Sequence, residues 1–454
     1  MRSETEAQPV VLRRCLGPVA VTAQAVGTVG LTLTAVINIP QVAGVAGHST
    51  PVAYGLAFAL IALVAETFVL FQRLPAGADG IAGYVRRGFG PRAGQLGGWL
   101  LLIGYGATLA ACLSFLGFYL HHLLLRLGVA LAPALCVLIG GLGCLELARR
   151  DVRLSTTAML FTESISVLIV LGLCLLVLQR GGIDADLRAL NPAGDSLAQL
   201  RAGLMAAVLS FIGFESAATL GAESLQPQRA VPRALRLAVL LAGGLFLFWS
   251  VVISEGLTWL PLAERVGLDP MSLLADRLGQ PGAGDLIKLG AFLCLLGTCL
   301  GSITALARVT YALARDGVLP GSLARVHPRF RTPATALWCL GTPVVLLAAL
   351  PVAAGVGTTE LFNQFGSFSV LGFLLIYGLV AAASVAGPLP GVDRRRRLLV
   401  GGVALVAVTG ISAVFLSALV GDGLVPVSFL VALILGVALV LRTPLQPGPD
   451  QPSA

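Results

Sequence analysis

Charge is scarce in this chain, and lysine is almost missing from it. Only 11% of the 454 residues are charged while 57% are hydrophobic, against about 25% charged residues in an ordinary soluble protein. A water-soluble enzyme is excluded by that balance. Lys288 is the single lysine, so 29 of the 30 basic residues are arginines. They fall in short clusters between long apolar stretches and form no basic face, which argues against a nucleic-acid partner.

The rarer chemistry is equally thin. The eight cysteines form no CxxC and no Cys/His cluster, and Cys112, Cys136, Cys144, Cys174, Cys294, Cys299 and Cys339 lie inside apolar runs, where they read as small buried hydrophobes. No disulfide framework, metal or cofactor is expected. The four histidines, His48, His121, His122 and His327, sit at span ends or in loops with no Cys, Asp or Glu at ligand spacing. Phosphate-binding glycine loops, a channel filter and a catalytic set are all lacking, so neither an enzyme nor a channel is expected.

What the chain has is apolar length. About 20 apolar residues cross a bilayer as a helix, because backbone groups left unpaired in hydrocarbon leave few other solutions. Twelve such segments are predicted, at 17–39, 52–72, 95–120, 128–147, 154–178, 202–222, 234–255, 286–313, 333–351, 361–383, 398–419 and 424–441. Residues 1–14 are polar with no secretory-signal pattern, so the first span is expected to be retained. Loops rich in Lys and Arg stay cytoplasmic. Placing the N-terminus inside puts 23 of the 30 basic residues on or near that side, which predicts cytoplasmic termini and a multi-pass protein of the cell (inner) membrane.

Two spans look broken. The first holds Gly27, Thr28, Gly30, Thr32, Thr34 and Asn38 before Pro40, too polar and too β-branched for a plain lipid-facing helix. The sixth carries Ser210-Phe211-Ile212-Gly213-Phe214-Glu215-Ser216 at mid-membrane, then Glu223, Pro227 and Pro232. Each opens a set of five spans. Transporters built from inverted repeats place broken helices at matching positions and bind substrate at the breaks.

The run Ser210 to Ala217, with Glu223, Pro227, Arg229 and Val231-Pro232-Arg233-Ala234, resembles the sixth-span signature of the amino acid-polyamine-organocation permeases. Tyr84-Val85-Arg86-Arg87-Gly88-Phe89-Gly90-Pro91 before Trp99 resembles that superfamily's loop into span three. Ala314-Arg315-Asp316-Gly317-Val318-Leu319-Pro320, with Ala324 to Pro328 and Thr332-Pro333, resembles its loop after span eight.

The resemblance covers residues 17–440. It implies an all-α membrane protein of 12 transmembrane helices with a 5+5 inverted-repeat, LeuT-like core over 17–383. Two added helices over 384–442 and short cytoplasmic ends at 1–16 and 443–454 complete the expected organisation. It implies transport of an amino acid or related amine by alternating access, as monomer or homodimer. The alternative is a transporter-fold sensor without net transport.

In such permeases the substrate carboxylate meets amides at the span-one break and its ammonium meets carbonyls at the span-six break. The superfamily's Gly-Ser-Gly segment aligns with Leu33, Thr34 and Ala35, of which only Thr34 keeps the hydroxyl; Gly27, Thr28 and Gly30 form a rival location. On span six the candidates are Ser210, Phe211, Gly213 and Phe214. Leu209 stands where some relatives with cationic substrates carry an aromatic, which favours a small neutral or aliphatic substrate.

Four carboxylates in or just beside the spans qualify as candidates, because charge there is expensive and needs a partner, a wet cavity or a neutral form. Glu215, near mid-membrane, is the first candidate for a proton site. Glu163, in a polar stretch of span five, fits proton coupling or a structural hydrogen bond equally. Glu66 is expected to reach Arg73 or the inner face, and Glu223 to pair with Arg229 or Arg233 at a gate. Arg308 is expected at the inner interface. Span eight offers Thr298, Ser302 and Thr304 without two adjacent hydroxyls, which favours H⁺ or exchange over Na⁺. Tyr105 reads as a cavity-closing aromatic or as core.

Overall fold

The structure, a computed structural model, describes residues 12–72, 80–181, 196–265, 267–280, 282–387, 389, 391–419 and 423–444. Helices occupy all twelve predicted segments. Among the described residues there is no strand, only a single parallel bridge between Leu16 and Ser224.

The first segment is α1 (Pro18–Val29), α2 (Leu31–Leu33), a π turn (Thr34–Asn38) and α3 (Ile39–Ala46); α4 (Thr50–Gln72) follows. Then come α5 (Gly80–Phe89), α6 (Pro91–Arg126), α7 (Pro133–Arg150), α8 (Val152–Gly181) and α9 (Leu197–Leu209). The second half runs through α10 (Pro227–Thr258), the short α11 (Leu262–Arg265) and α12 (Pro270–Arg277), then α13 (Ala283–Arg315), α14 (Ala334–Ala353), α15 (Thr358–Ala386), α16 (Arg394–Leu419) and α17 (Leu424–Arg442).

Among the described residues, ten stretches are long and apolar enough to cross a membrane; the first, Pro18–Phe71, runs 54 residues, well over twice the length of one crossing. The chain is a multi-pass membrane protein. The eighteen-residue α7 is not among the ten. The predicted loop before span three is in part helical: α5 packs on α6 and α15, and Tyr84 stacks on Phe71 with ring centres 5.0 Å apart.

Burial separates centre from rim. On α6 and α13 the most apolar windows are 83% and 78% buried, whereas those of α16 and α17 are 22% buried. The two central helices pack on each other, and α13 also packs on α8 and α6 on α15. Their small residues permit that closeness: a Cβ at Gly104 would sit 3.0 Å from the Phe373 ring. Helices without a water-driven force between them associate through such contacts. At the rim α17 docks through Trp99, whose Nε1 donates to the Ala432 carbonyl at 2.9 Å. Large apolar side chains such as Phe161, Leu168, Val406 and Leu430 face outward, as a lipid-facing surface requires.

Candidate functional site

The break in span one falls at Gly30 and not at the aligned segment Leu33-Thr34-Ala35. α1 ends at Val29, Gly30 takes φ +68°, and the helix restarts at Leu31. Glycine is required there twice over. Its φ lies in the left-handed region that costs other residues strain, and a Cβ would meet Thr298 Oγ1 at 2.5 Å. Leu33, Thr34 and Ala35 continue as helix, Thr34 and Ala35 inside the π turn. The superfamily alignment, anchored on Pro40, therefore places the opening one turn too late.

Span six opens between α9 and a 3₁₀ segment, Phe214–Leu220. The hinge is Gly213, at φ +114°. Its Cβ would lie 2.7 Å from both the carbonyl carbon and oxygen of Thr28, so the two breaks touch backbone to backbone. Ser216 Oγ donates to the Gln24 carbonyl at 3.2 Å. Ser210 is held by Asn38 Nδ2 and by the Tyr54 hydroxyl, each at 3.1 Å.

Between the breaks lies a cavity of about 30 Å³ lined by Thr28, Leu33, Asn38, Ile212, Thr298 and Ser369, among others. That is far below the roughly 300 Å³ of an open ligand pocket, so this is a closed arrangement. Of the candidate substrate residues, Thr28 and Leu33 line the cavity. Gly27 packs against Met159, and Thr34 Oγ1 is buried without a hydrogen-bond partner among the described residues. Phe211 and Phe214 turn away into aromatic clusters, Phe211 with Phe246 at 5.0 Å and Phe214 with Tyr377 at 5.7 Å.

The carboxylates are all held, each differently. Glu215 is fully buried. Its Oε1 accepts from the Tyr105 hydroxyl at 2.9 Å; its Oε2 accepts from the Tyr377 hydroxyl at 2.7 Å and from the Gly213 amide at 3.0 Å. Spans three and ten thus grip the hinge of span six. Glu163 reaches span one, where its Oε1 accepts from the Thr32 amide at 3.2 Å.

Glu223 does not pair with Arg229 or Arg233. Arg308 binds it bidentately at 2.5 and 3.0 Å with both side chains almost fully buried, because α13 passes directly beside the end of span six. The same residue's carbonyl accepts from the Cys15 and Leu16 amides, and Arg153 Nη2 donates to the Cys15 carbonyl at 2.9 Å. Glu66 pairs with Arg236 at 2.6 and 2.8 Å and lies 3.6 Å from Arg396; Arg73 is outside the described residues. Arg86 pairs with Asp316, which joins two of the sequence motifs, and Gln95 adds a hydrogen bond to the Asp316 carbonyl.

An amino acid permease family model matches residues 16–441. The chain belongs to the amino acid permease family. An uncharacterized transporter of Mycobacterium tuberculosis (strain ATCC 25618 / H37Rv) is 30% identical over 412 residues, 87% of this chain and 88% of the relative. The branched-chain amino acid permease BcaP of Bacillus subtilis (strain 168) is 32% identical over 142 residues, 31% of this chain and 30% of that one. In fold, this amino acid permease is similar to MhsT solved in complex with L-phenylalanine, at TM-score 0.59 and 15% identity over 88% of this chain and 98% of that one. The fold is LeuT-like, and the permease is a membrane transporter in kind.

Several residues of the site carried little sequence signal. Gln24, whose Nε2 donates to the Gly301 carbonyl at 2.9 Å, was findable as an amide inside an apolar span. Tyr377 and Cys294 lie in ordinary apolar runs and were not.

Proposed function

We propose that the chain is a secondary active transporter that moves an amino acid or related amine across the cytoplasmic membrane by alternating access. Both termini are cytoplasmic in this reading, and the chain crosses twelve times. The carrying observation is the contact of Gly213 with the Thr28 backbone beside the narrow cavity that Thr28 and Ile212 line. Helix restarts offer amides and positive dipole to an anion, and helix ends offer carbonyls to a cation. The restart at Leu31 suits a carboxylate, and the carbonyls around Val29 and Ile212 suit an ammonium.

The inner side is closed in this arrangement by Glu223 with Arg308 and by the Leu16 to Ser224 bridge. Opening has to separate them. The three bonds to Glu215 fit a latch that sets the angle of the span-six hinge, with Tyr105 as part of the latch and not a cavity wall. Coupling is to H⁺ or a counter-substrate. The test is uptake of labelled amino acids and amines into proteoliposomes, with and without an inward pH gradient. Saturable uptake supports a transporter; binding without uptake supports a sensor.

A further inference from the structure

Gly30 ends one helix and starts another, so the amides just after it lack the carbonyls one turn back that a helix interior would supply. From Leu31 the helical run continues through the π turn to Ala46, long enough to present a full N-terminal dipole. The ordinary ladder resumes at Thr34, whose amide donates to the Gly30 carbonyl at 3.2 Å. All three amides between face side chains of other spans, the Leu31 amide facing Glu163. Thr32 N–H donates to Glu163 Oε1 at 3.2 Å and Leu33 N–H to Cys294 Sγ at 3.1 Å. The Thr32 hydroxyl donates to Ser166 Oγ at 3.1 Å, one turn along α8 from Glu163.

A carboxylate of the protein thus sits where this helix start attracts an anion. Glu163 is 3% exposed and, among the described residues, its Oε2 has no partner within hydrogen-bond geometry. No ion pair joins it to an arginine or lysine among the described residues. Helices α1, α2, α7, α10 and α13 pack against α8. Of the titratable side chains they carry, only Cys294 on α13 interacts with Glu163. α1 and α2 carry no titratable side chain, and the charged residues of α7 and α10 stand toward the helix ends. Glu215 is held elsewhere by Tyr105 and Tyr377. Oε2 is the oxygen that an added proton would occupy.

Leu33 lines the cavity between the breaks, so cavity and Glu163 share one turn, Gly30 to Leu33. A substrate carboxylate bound at that turn would put a second anion on one helix start. Two carboxylates in one dry site cannot both stay ionised. We infer that Glu163 is the proton-binding residue of the transport cycle, taking up a proton when the carboxylate of a substrate reaches the helix start that Glu163 caps. The proton adds to Oε2 and nothing else is transferred. An amine without a carboxylate brings no second anion and draws no proton. This inference deepens the transporter reading above and rests on its placing the substrate at the breaks.

Calorimetry of purified protein in nanodiscs, run in two buffers of different ionisation enthalpy, reads protons taken up per molecule bound. The probes are L-leucine and L-phenylalanine with their decarboxylated forms, isopentylamine and phenethylamine. The wild type should take up about one proton per amino acid and near none per amine. E163Q, a neutral isostere, should bind amino acid with no proton uptake, and its transport should lose stimulation by an inward pH gradient. Equal uptake for acid and amine in the wild type overturns the inference without recourse to any variant, as does full uptake retained in E163Q. If none of the four probes binds, the substrate reading falls and the inference falls with it.

Discussion

Gly213 and Thr28 lie in backbone contact across the middle of the molecule, with room for a hydrogen and not for a methyl group: a Cβ on Gly213 would sit 2.7 Å from the Thr28 carbonyl. One glycine therefore serves two needs. It lets span six turn at φ +114°, and it lets that turn rest on the last residues of α1. The two breaks meet through backbone, without an intervening side chain.

The latch on Glu215 should be measurable through its donors. Tyr377→Phe removes one of three hydrogen bonds to a fully buried carboxylate, at a cost of about 1–3 kcal/mol. Thermal unfolding in detergent should fall accordingly, and Tyr105→Phe should behave alike. Because both hydroxyls serve one acceptor, the double variant should depart from the sum of the singles. Glu215→Gln should leave the pH dependence of transport as it is in the wild type; a flattened profile would return the proton to Glu215.

At the end of span six where Leu16 bridges to Ser224, the Glu223 and Arg308 pair is buried and bidentate. Removing one partner of such a pair costs about 3–5 kcal/mol because the other charge stays buried. Glu223→Gln should therefore loosen the inner closure. Cys15 is a native reporter, since it is buried and its amide is tied to the Glu223 carbonyl. In a Cys339→Ser background, which removes the exposed cysteine, Cys15 in the Glu223→Gln protein should react faster with a membrane-impermeant maleimide from the cytoplasmic side. An unchanged rate would show that the pair is no gate.

Helices and breaks were legible in the sequence because they are written in local terms. Apolar length sets the spans, and a carboxylate beside Gly213 in mid-membrane has no packing reason to be there. The exact opening of span one was not legible by alignment on Pro40, since Gly27 and Gly30 look alike in the sequence, whereas in the fold Gly27 lies inside α1 and Gly30 takes the left-handed φ against Thr298. Partners were the least legible. Arg308 stands 85 residues from Glu223 and Tyr377 stands 162 from Glu215; such pairs follow from which helices cross, a property no local pattern records.

Orientation follows from charge and is tested independently of the site. Introduced cysteines in 180–200 should label from outside and those in 389–397 from inside, because the arginines cluster on one side. The opposite labelling would invert the gate assignments as well.

The central claim is that the two breaks form one substrate site. Its most direct test is equilibrium binding to Gly213→Leu, assayed with the labelled amino acid that the wild type accumulates in proteoliposomes. A leucine there must displace the Thr28 backbone or the hinge itself, while α9 and α10 remain anchored by their own packing. The variant should elute from size-exclusion chromatography as the wild type does and bind at least about 100-fold more weakly, equivalent to about 2.7 kcal/mol. Wild-type affinity in a folded Gly213→Leu protein would remove span six from the site and contradict the account.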